Sequence, residues 1–170
     1  MKGLRYMQDV MRNQFYKQRS DFELSAIERD KTQVMPEGVS VQTDIPYMND
    51  GDKAHRMDVY RPEGSEDTTL PVVINIHGGG LLIDSKEFNR FFCAKLSRLG
   101  YLVFSIDYRL VPDCMVFDQF SDVCNAFKYI NAHLGEYNGD SGHIYGVADS
   151  GGAYLLTYTA AMAKNRELAK

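Results

Sequence analysis

A chain of 170 residues, 44% hydrophobic and 25% charged, has the size and composition of one globular domain able to bury its own core. Its net charge of −4, with both signs interspersed, argues against the clustered basic surface of a nucleic-acid-binding protein. Three cysteines, none in a Cys-x-x-Cys pair or a Cys/His cluster, argue against a disulfide framework or a structural metal and point to reduced thiols in a cytoplasmic protein. Charges recur through the first 35 residues, so no secretory signal is expected, and no apolar run approaches the length of a membrane span. No cofactor motif and no internal repeat is present in the sequence.

In chain order, residues 4–17 place Leu4, Met7, Val10, Met11 and Phe15 at helical spacing, and a second short helix is expected over 21–30 around Phe22, Leu24 and Ile27. Two readings stand for this segment: a helix packed on the domain, or part of a lid over a pocket. Val39, Val41, Thr43 and Ile45 alternate with their neighbours like a half-buried strand. Asn49-Asp50-Gly51-Asp52 is a turn signal, and 57–60 predicts an antiparallel partner strand ending at Pro62. Residues 70–76 are almost continuously apolar, as in a parallel strand covered on both faces. Asp84-x-x-Glu87 has the form of a capping box, followed by a helical stripe of Phe88, Phe91, Phe92, Leu96 and Leu99 that stops at Gly100. A buried strand over 101–106, a helix over 117–134, a loop at 138–140, a strand over 144–148 and a helix over 151–163 buried on most sides complete the series. Alternating strands and helices predict an α/β fold with a mostly parallel sheet, flanking helices and right-handed crossovers.

Two places carry chemistry. Ala148-Asp149-Ser150-Gly151-Gly152 lies between a buried strand and a helix and fits the small-x-Ser-x-Gly form of a nucleophile elbow, with Ala148 where glycine is usual. Such a turn pushes the serine hydroxyl out of the sheet, and the N-terminal N–H groups of the next helix favour negative charge there. The same residues also fit a plain N-cap serine followed by turn glycines. His77-Gly78-Gly79-Gly80 stands at the carboxyl end of the first buried strand, where open α/β sheets bind ligands. Backbone N–H groups of a glycine run can face a substrate there and, with that of Gly151, hold an oxyanion. A flexible loop is the simpler reading, and a phosphate-binding loop fits less well because no Gly-Lys-Ser/Thr follows. His77 is expected to orient the loop through hydrogen bonds rather than act as a base.

Three blocks in order resemble the hormone-sensitive-lipase-like branch of the α/β-hydrolase esterases. They are His77-Gly78-Gly79-Gly80; Asp107-Tyr108-Arg109-Leu110-Val111-Pro112-Asp113, similar to that family's Asp-Tyr-Arg-Leu-Ala-Pro-Glu; and Asp149-Ser150-Gly151-Gly152. Met57-Asp58-Val59-Tyr60-Arg61-Pro62 and the position of Asp122 also resemble the family, and the likeness spans residues 39–163. The resemblance implies an α/β-hydrolase fold with Ser150 as nucleophile, Gly79, Gly80 and Gly151 as oxyanion donors, and His77 and Gly78 supporting the loop. It implies that an Asp and an Arg of the 107–113 block pair to brace the loop after the strand. It strengthens the lid reading of residues 1–35, with 36–170 as the N-terminal half of the hydrolase domain.

In this fold the acid and the histidine of the triad follow the serine. The 20 residues after Ser150 hold neither histidine nor aspartate, Glu167 being their only acid, and His55, His77, His133 and His143 all precede it. The expected strands bearing the acid and base are therefore not in this chain, and the 144–148 strand is expected to expose an edge. A second copy, a complementing chain or a rearrangement is expected to cover it. The function implied is hydrolysis of small carboxylic esters, acetyl or short acyl, through a serine-bound acyl group, with no metal. Two alternatives are a fragment or binding module that keeps the fold without the chemistry, and an α/β-hydrolase peptidase.

Overall fold

The computed structural model describes residues 2–165, with 2–7 by backbone alone. The side chains of Leu4 and Met7, and Glu167, lie outside the described residues.

Among the described residues five strands form one sheet: β1 (Val39–Pro46), β2 (Arg56–Pro62), β3 (Leu70–Ile76), β4 (Leu102–Ile106) and β5 (Gly139–Ala148), in the spatial order β1-β2-β4-β3-β5. β1 pairs with β2, and β2 with β4, antiparallel; β3 pairs parallel with both β4 and β5. Only β2 therefore runs against the rest. Among the described residues four α-helices accompany the sheet: α1 (Lys2–Asp30), α2 (Arg90–Arg98), α3 (Val116–His133) and α4 (Ser150–Lys164).

Alternation along the strands divides the core into two layers. Tyr60, Val73 and Val103 meet Cys93 and Ala94 of α2 on one face. Ile74, Ile76, Leu102, Phe104 and Ile106 meet Val123, Ala126 and Ile130 of α3 and Leu155 of α4 on the other. Each such fully buried aliphatic or aromatic side chain contributes about 1.5–3 kcal/mol. The step from β3 to β4 and the return from β4 to β5 run in opposite directions across the sheet. Crossovers of one hand must then put α2 and α3 on opposite faces, as is found.

Several local expectations are corrected. The N-terminal segment is one unbroken helix, because no glycine or proline interrupts it between Leu4 and Asp30. Its Val10, Met11, Leu24 and Ile27 are exposed rather than turned to the core. No capping box forms at Asp84 and Glu87; a 3-10 turn over Lys86–Asn89 precedes α2. α2 buries Phe91, Cys93, Ala94 and Ser97, while Phe92 and Leu99 face solvent. The 138–140 segment is not a loop throughout: Asn138 takes a left-handed turn and β5 starts at Gly139, paired with Leu70. α4 buries Gly152, Leu155 and Thr159, the stripe facing the sheet, whereas Tyr154 and Tyr158 are exposed. Those two tyrosines cluster with Phe120 of α3, and on β5, an edge strand of the sheet, Ile144 and Tyr145 are also exposed. Among the described residues no helix is long and apolar enough to cross a membrane.

Candidate active site

The carboxyl ends of β3, β4 and β5 bring the three sequence blocks together. β5 ends at Ala148, Asp149 is still extended, and Ser150 opens α4 with φ of 45°. A serine at positive φ is strained by about 1–3 kcal/mol, and that strain persists only where the surroundings impose it. Here they do. A Cβ at Gly152 would run into the carbonyl oxygens of Ile76 and His77, so only glycine lets α4 start against the end of β3. Ala153 N–H donates to the Asp149 carbonyl at 3.1 Å and closes the first turn of the helix. The Ser150 side is exposed, so its hydroxyl is accessible.

The glycine loop lies directly against the elbow. A Cβ built on Gly151 would stand 3.0 Å from the Leu81 nitrogen and 3.2 Å from that of Gly80. Gly78 is as close to Asp149, whose carboxylate a Cβ there would strike. The loop turns through left-handed residues at Gly79, Gly80, Leu81 and Asp84. Leu81 and Asp84 are not glycine, so this path costs energy that tethers must offset. Leu82 and Ile83 donate to the Gly79 carbonyl, and the Leu81 carbonyl accepts from Val111 N–H at 3.0 Å and Gln119 Nε2 at 2.9 Å.

His77 is fully buried, and its ring stacks on Tyr108 at 4.3 Å between centroids. Burial pulls its pKa down to about 4, so the ring is neutral at pH 7. Nδ1 lies 3.3 Å from the Gly78 carbonyl and Nε2 lies 3.5 Å from Asp107 Oδ1. The Tyr108 hydroxyl donates to the carbonyls of both His77 and Gly78 at 2.9 Å. Asp107 accepts from Lys86 N–H at 2.6 Å, and burial raises its carboxyl to about 8. Burial likewise raises Asp84 to about 7, with the nearby Asp149 charge adding to the effect.

The 107–113 block does not close on itself as expected. Arg109 pairs with Asp122 of α3, at 2.9 Å through Nε and 2.6 Å through a terminal nitrogen, and Asp122 also lies 3.1 Å from His55 Nε2. Asp107 is occupied by the Lys86 N–H, and Asp113 bonds Tyr16 and Arg19 of α1. The pairing follows from position: Asp122 sits inward on α3, fully buried, and its charge needs a partner there. His133 stacks on Tyr129 at the end of α3 and exposed His143 pairs with Asp140, so neither is brought to the elbow. Among the described residues no three His, Cys, Asp or Glu side chains converge as metal ligands. Gln119 and Arg19 carry no sequence signal, since the loop groups they hold are the backbone carbonyls of Leu81 and Leu82, far along the chain.

A cleft of about 340 Å³ opens between α1 and the 84–90 segment. Phe22, Ala26, Ile27 and Phe88 line it with apolar surface, and Asp84 is among its polar lining residues.

This geometry has relatives. The BD-FAE family matches residues 57–170. A probable isoprenylcysteine alpha-carbonyl methylesterase of Arabidopsis thaliana is 31% identical over 105 residues, which are 62% of this chain and 22% of that protein. Esterase LipQ of Mycobacterium tuberculosis is 28% identical over 128 residues, 74% of this chain and 30% of its own length. Among solved structures, esterase B of Lactobacillus rhamnosis superposes with a TM-score of 0.89 at 26% identity, over 94% of this chain and 51% of that one. An esterase of the archaeon Pyrobaculum calidifontis superposes with a TM-score of 0.72 at 30% identity, over 90% of this chain and 48% of that one. This chain thus spans about half the length of the solved esterases and less than a third of these curated relatives.

Proposed function

The chain belongs to the BD-FAE family of hormone-sensitive-lipase-like α/β-hydrolases, and from that premise we propose that it carries the nucleophile and oxyanion hole of a carboxylic ester hydrolase. Ser150 Oγ attacks the ester carbonyl carbon, and its proton passes to a histidine base. The base and its acid partner come from the half of the fold that this chain does not span. The carbonyl oxygen becomes an oxyanion and accepts hydrogen bonds from the N–H groups of Gly79, Gly80 and Gly151. The intermediate collapses, the alcohol leaves with the proton, and water releases the acid from Ser150 by the reverse path. His77 and Gly78 support the loop and take no part in proton transfer; a ring with a pKa near 4 is a weak base.

One observation carries this reading: Ser150 is held at a strained φ of 45° with Gly151 packed against the loop nitrogens of Gly80 and Leu81. Strain of this kind concentrates at functional sites, and here it holds an exposed serine beside the nitrogens of the glycine loop. We assign α1 as a cap element, with the apolar cleft beside it taking a short acyl or alcohol group, acetyl included. The free edge of β5 takes a further strand from the rest of the fold or from a second copy. Three free cysteines suit a reducing, cytoplasmic compartment.

The test is to treat the protein from its complete reading frame with a fluorophosphonate and map the adduct by mass spectrometry. An adduct on Ser150, with p-nitrophenyl acetate hydrolysis lost in parallel, is the expected result. No adduct in active protein would overturn the assignment.

A further inference from the structure

We propose that Arg19 of α1 is a positioning residue for the oxyanion loop, clamping its outgoing arm to the 107–113 block. The proposal rests on reading that loop and Ser150 as the ester-cleaving site. The loop runs through four left-handed residues, and its shape depends on where its carbonyls are held. The Leu81 carbonyl is held from the α3 side by Gln119 and Val111 N–H. The neighbouring Leu82 carbonyl accepts from Arg19 Nε at 3.1 Å. The same guanidinium donates to the Val111 carbonyl at 3.0 Å and to Asp113 at 2.9 Å.

One planar fork thus bonds two backbone segments that already share the Val111–Leu81 hydrogen bond. The Arg19 side chain is only 20% exposed, so these bonds are shielded from competing water. Asp113 fixes the fork in turn, with Tyr16 donating to the same carboxylate. A lysine has one point of charge and no Nε donor, and cannot serve both carbonyls in this geometry. Leu82 and Ile83 donate to the Gly79 carbonyl, so a shift at Leu82 is passed directly to the glycines expected to face the oxyanion. α1 therefore does more than wall a cleft: through Arg19 it sets the loop.

The experiment compares Arg19→Ala, Arg19→Lys and Tyr16→Phe in the protein from its complete reading frame. Tyr16→Phe loosens the docking of α1 at Asp113 but leaves both loop carbonyls bonded. In Arg19→Ala, hydrogen exchange of a peptide covering residues 78–85 should speed up about tenfold, by local opening. Its kcat for p-nitrophenyl acetate should fall about tenfold with KM nearly constant, as for a loss felt mainly in the transition state. Arg19→Lys should follow Arg19→Ala, and Tyr16→Phe should stay near the parent. Unchanged exchange in the loop of Arg19→Ala would overturn the proposal. So would a kcat loss in Tyr16→Phe equal to that in Arg19→Ala, since general docking of α1 would then explain it. If Ser150 takes no fluorophosphonate in the parent protein, the nucleophile assignment falls by itself, and the exchange comparison still decides for or against the Arg19 clamp.

Discussion

The elbow and the glycine loop meet at one point, but they are held in opposite ways. The elbow is fixed chiefly by backbone against backbone: Gly152 lies on the carbonyls of Ile76 and His77, and the distant side chain of Asn89 adds only a long bond of 3.4 Å to Asp149. The loop is fixed by side chains from elsewhere: Tyr108 after β4, Gln119 on α3 and Arg19 on α1. An elbow built this way either forms or fails. A loop tethered at several points can lose one and shift by degrees.

The largest expected effect is chemical. Ser150→Ala should lower p-nitrophenyl acetate hydrolysis by about 10³-fold or more and abolish fluorophosphonate labelling, while the thermal unfolding midpoint barely moves. Turnover that persists at the parent rate would remove Ser150 from the reaction and leave the elbow a purely structural turn.

Gly152→Val comes next and tests the rigid half of the comparison. Its side chain must displace the end of β3 or the start of α4, since the obstacles are backbone carbonyls. A loss of about 2–4 kcal/mol in urea unfolding is expected, together with loss of labelling at Ser150. A neutral substitution would show that α4 can slide, and that the elbow is no more rigid than the loop.

Tyr108→Phe tests the tethered half. It leaves the His77 and Gly78 carbonyls without the donor they share in a buried place. Stability should drop by about 1–2 kcal/mol, and activity should fall severalfold rather than vanish, because other tethers remain. Collapse of activity to the level of Ser150→Ala would show that the loop, too, fails all at once.

The same contrast explains what could be read from the sequence. The elbow is a local event, so strand, small residue, serine and glycines written in succession reveal it. β3 was legible to the residue, because a strand covered on both faces is apolar from end to end. The loop's glycines were legible, but its tethers were not. Gln119 and Arg19 act on backbone carbonyls 38 and 63 positions away, and no spacing rule encodes such a bond. The Arg109–Asp122 pair stands between these cases: both residues stand out in the sequence, but burial of Asp122, invisible there, draws Arg109 out of the pairing expected within the block. Apolar spacing also misjudged α1 and α4. Periodicity says that a helix has an apolar side, and only the neighbouring elements say whether anything covers it.

The smallest expected effect concerns the charge beneath the loop. Asp107 lies under His77 with its carboxyl raised to about 8 by burial, whereas in the unfolded chain it titrates near 3.9. Below about pH 4 both states hold the proton and Asp107 adds no pH dependence. As the pH rises from there toward 8 the unfolded state releases its proton and the native state keeps it, so stability falls across that window. Asp107→Asn retains an oxygen for the Lys86 N–H but cannot ionise. The substitution should flatten this part of the profile, gaining about 1 kcal/mol relative to the parent between pH 5 and pH 6 in urea unfolding. Parallel profiles would mean that the Asp107 carboxylate is stabilised in the native state at neutral pH. His77 would then rest beside a charge rather than a neutral acid, and the loop would be held partly by electrostatics as well as by hydrogen bonds.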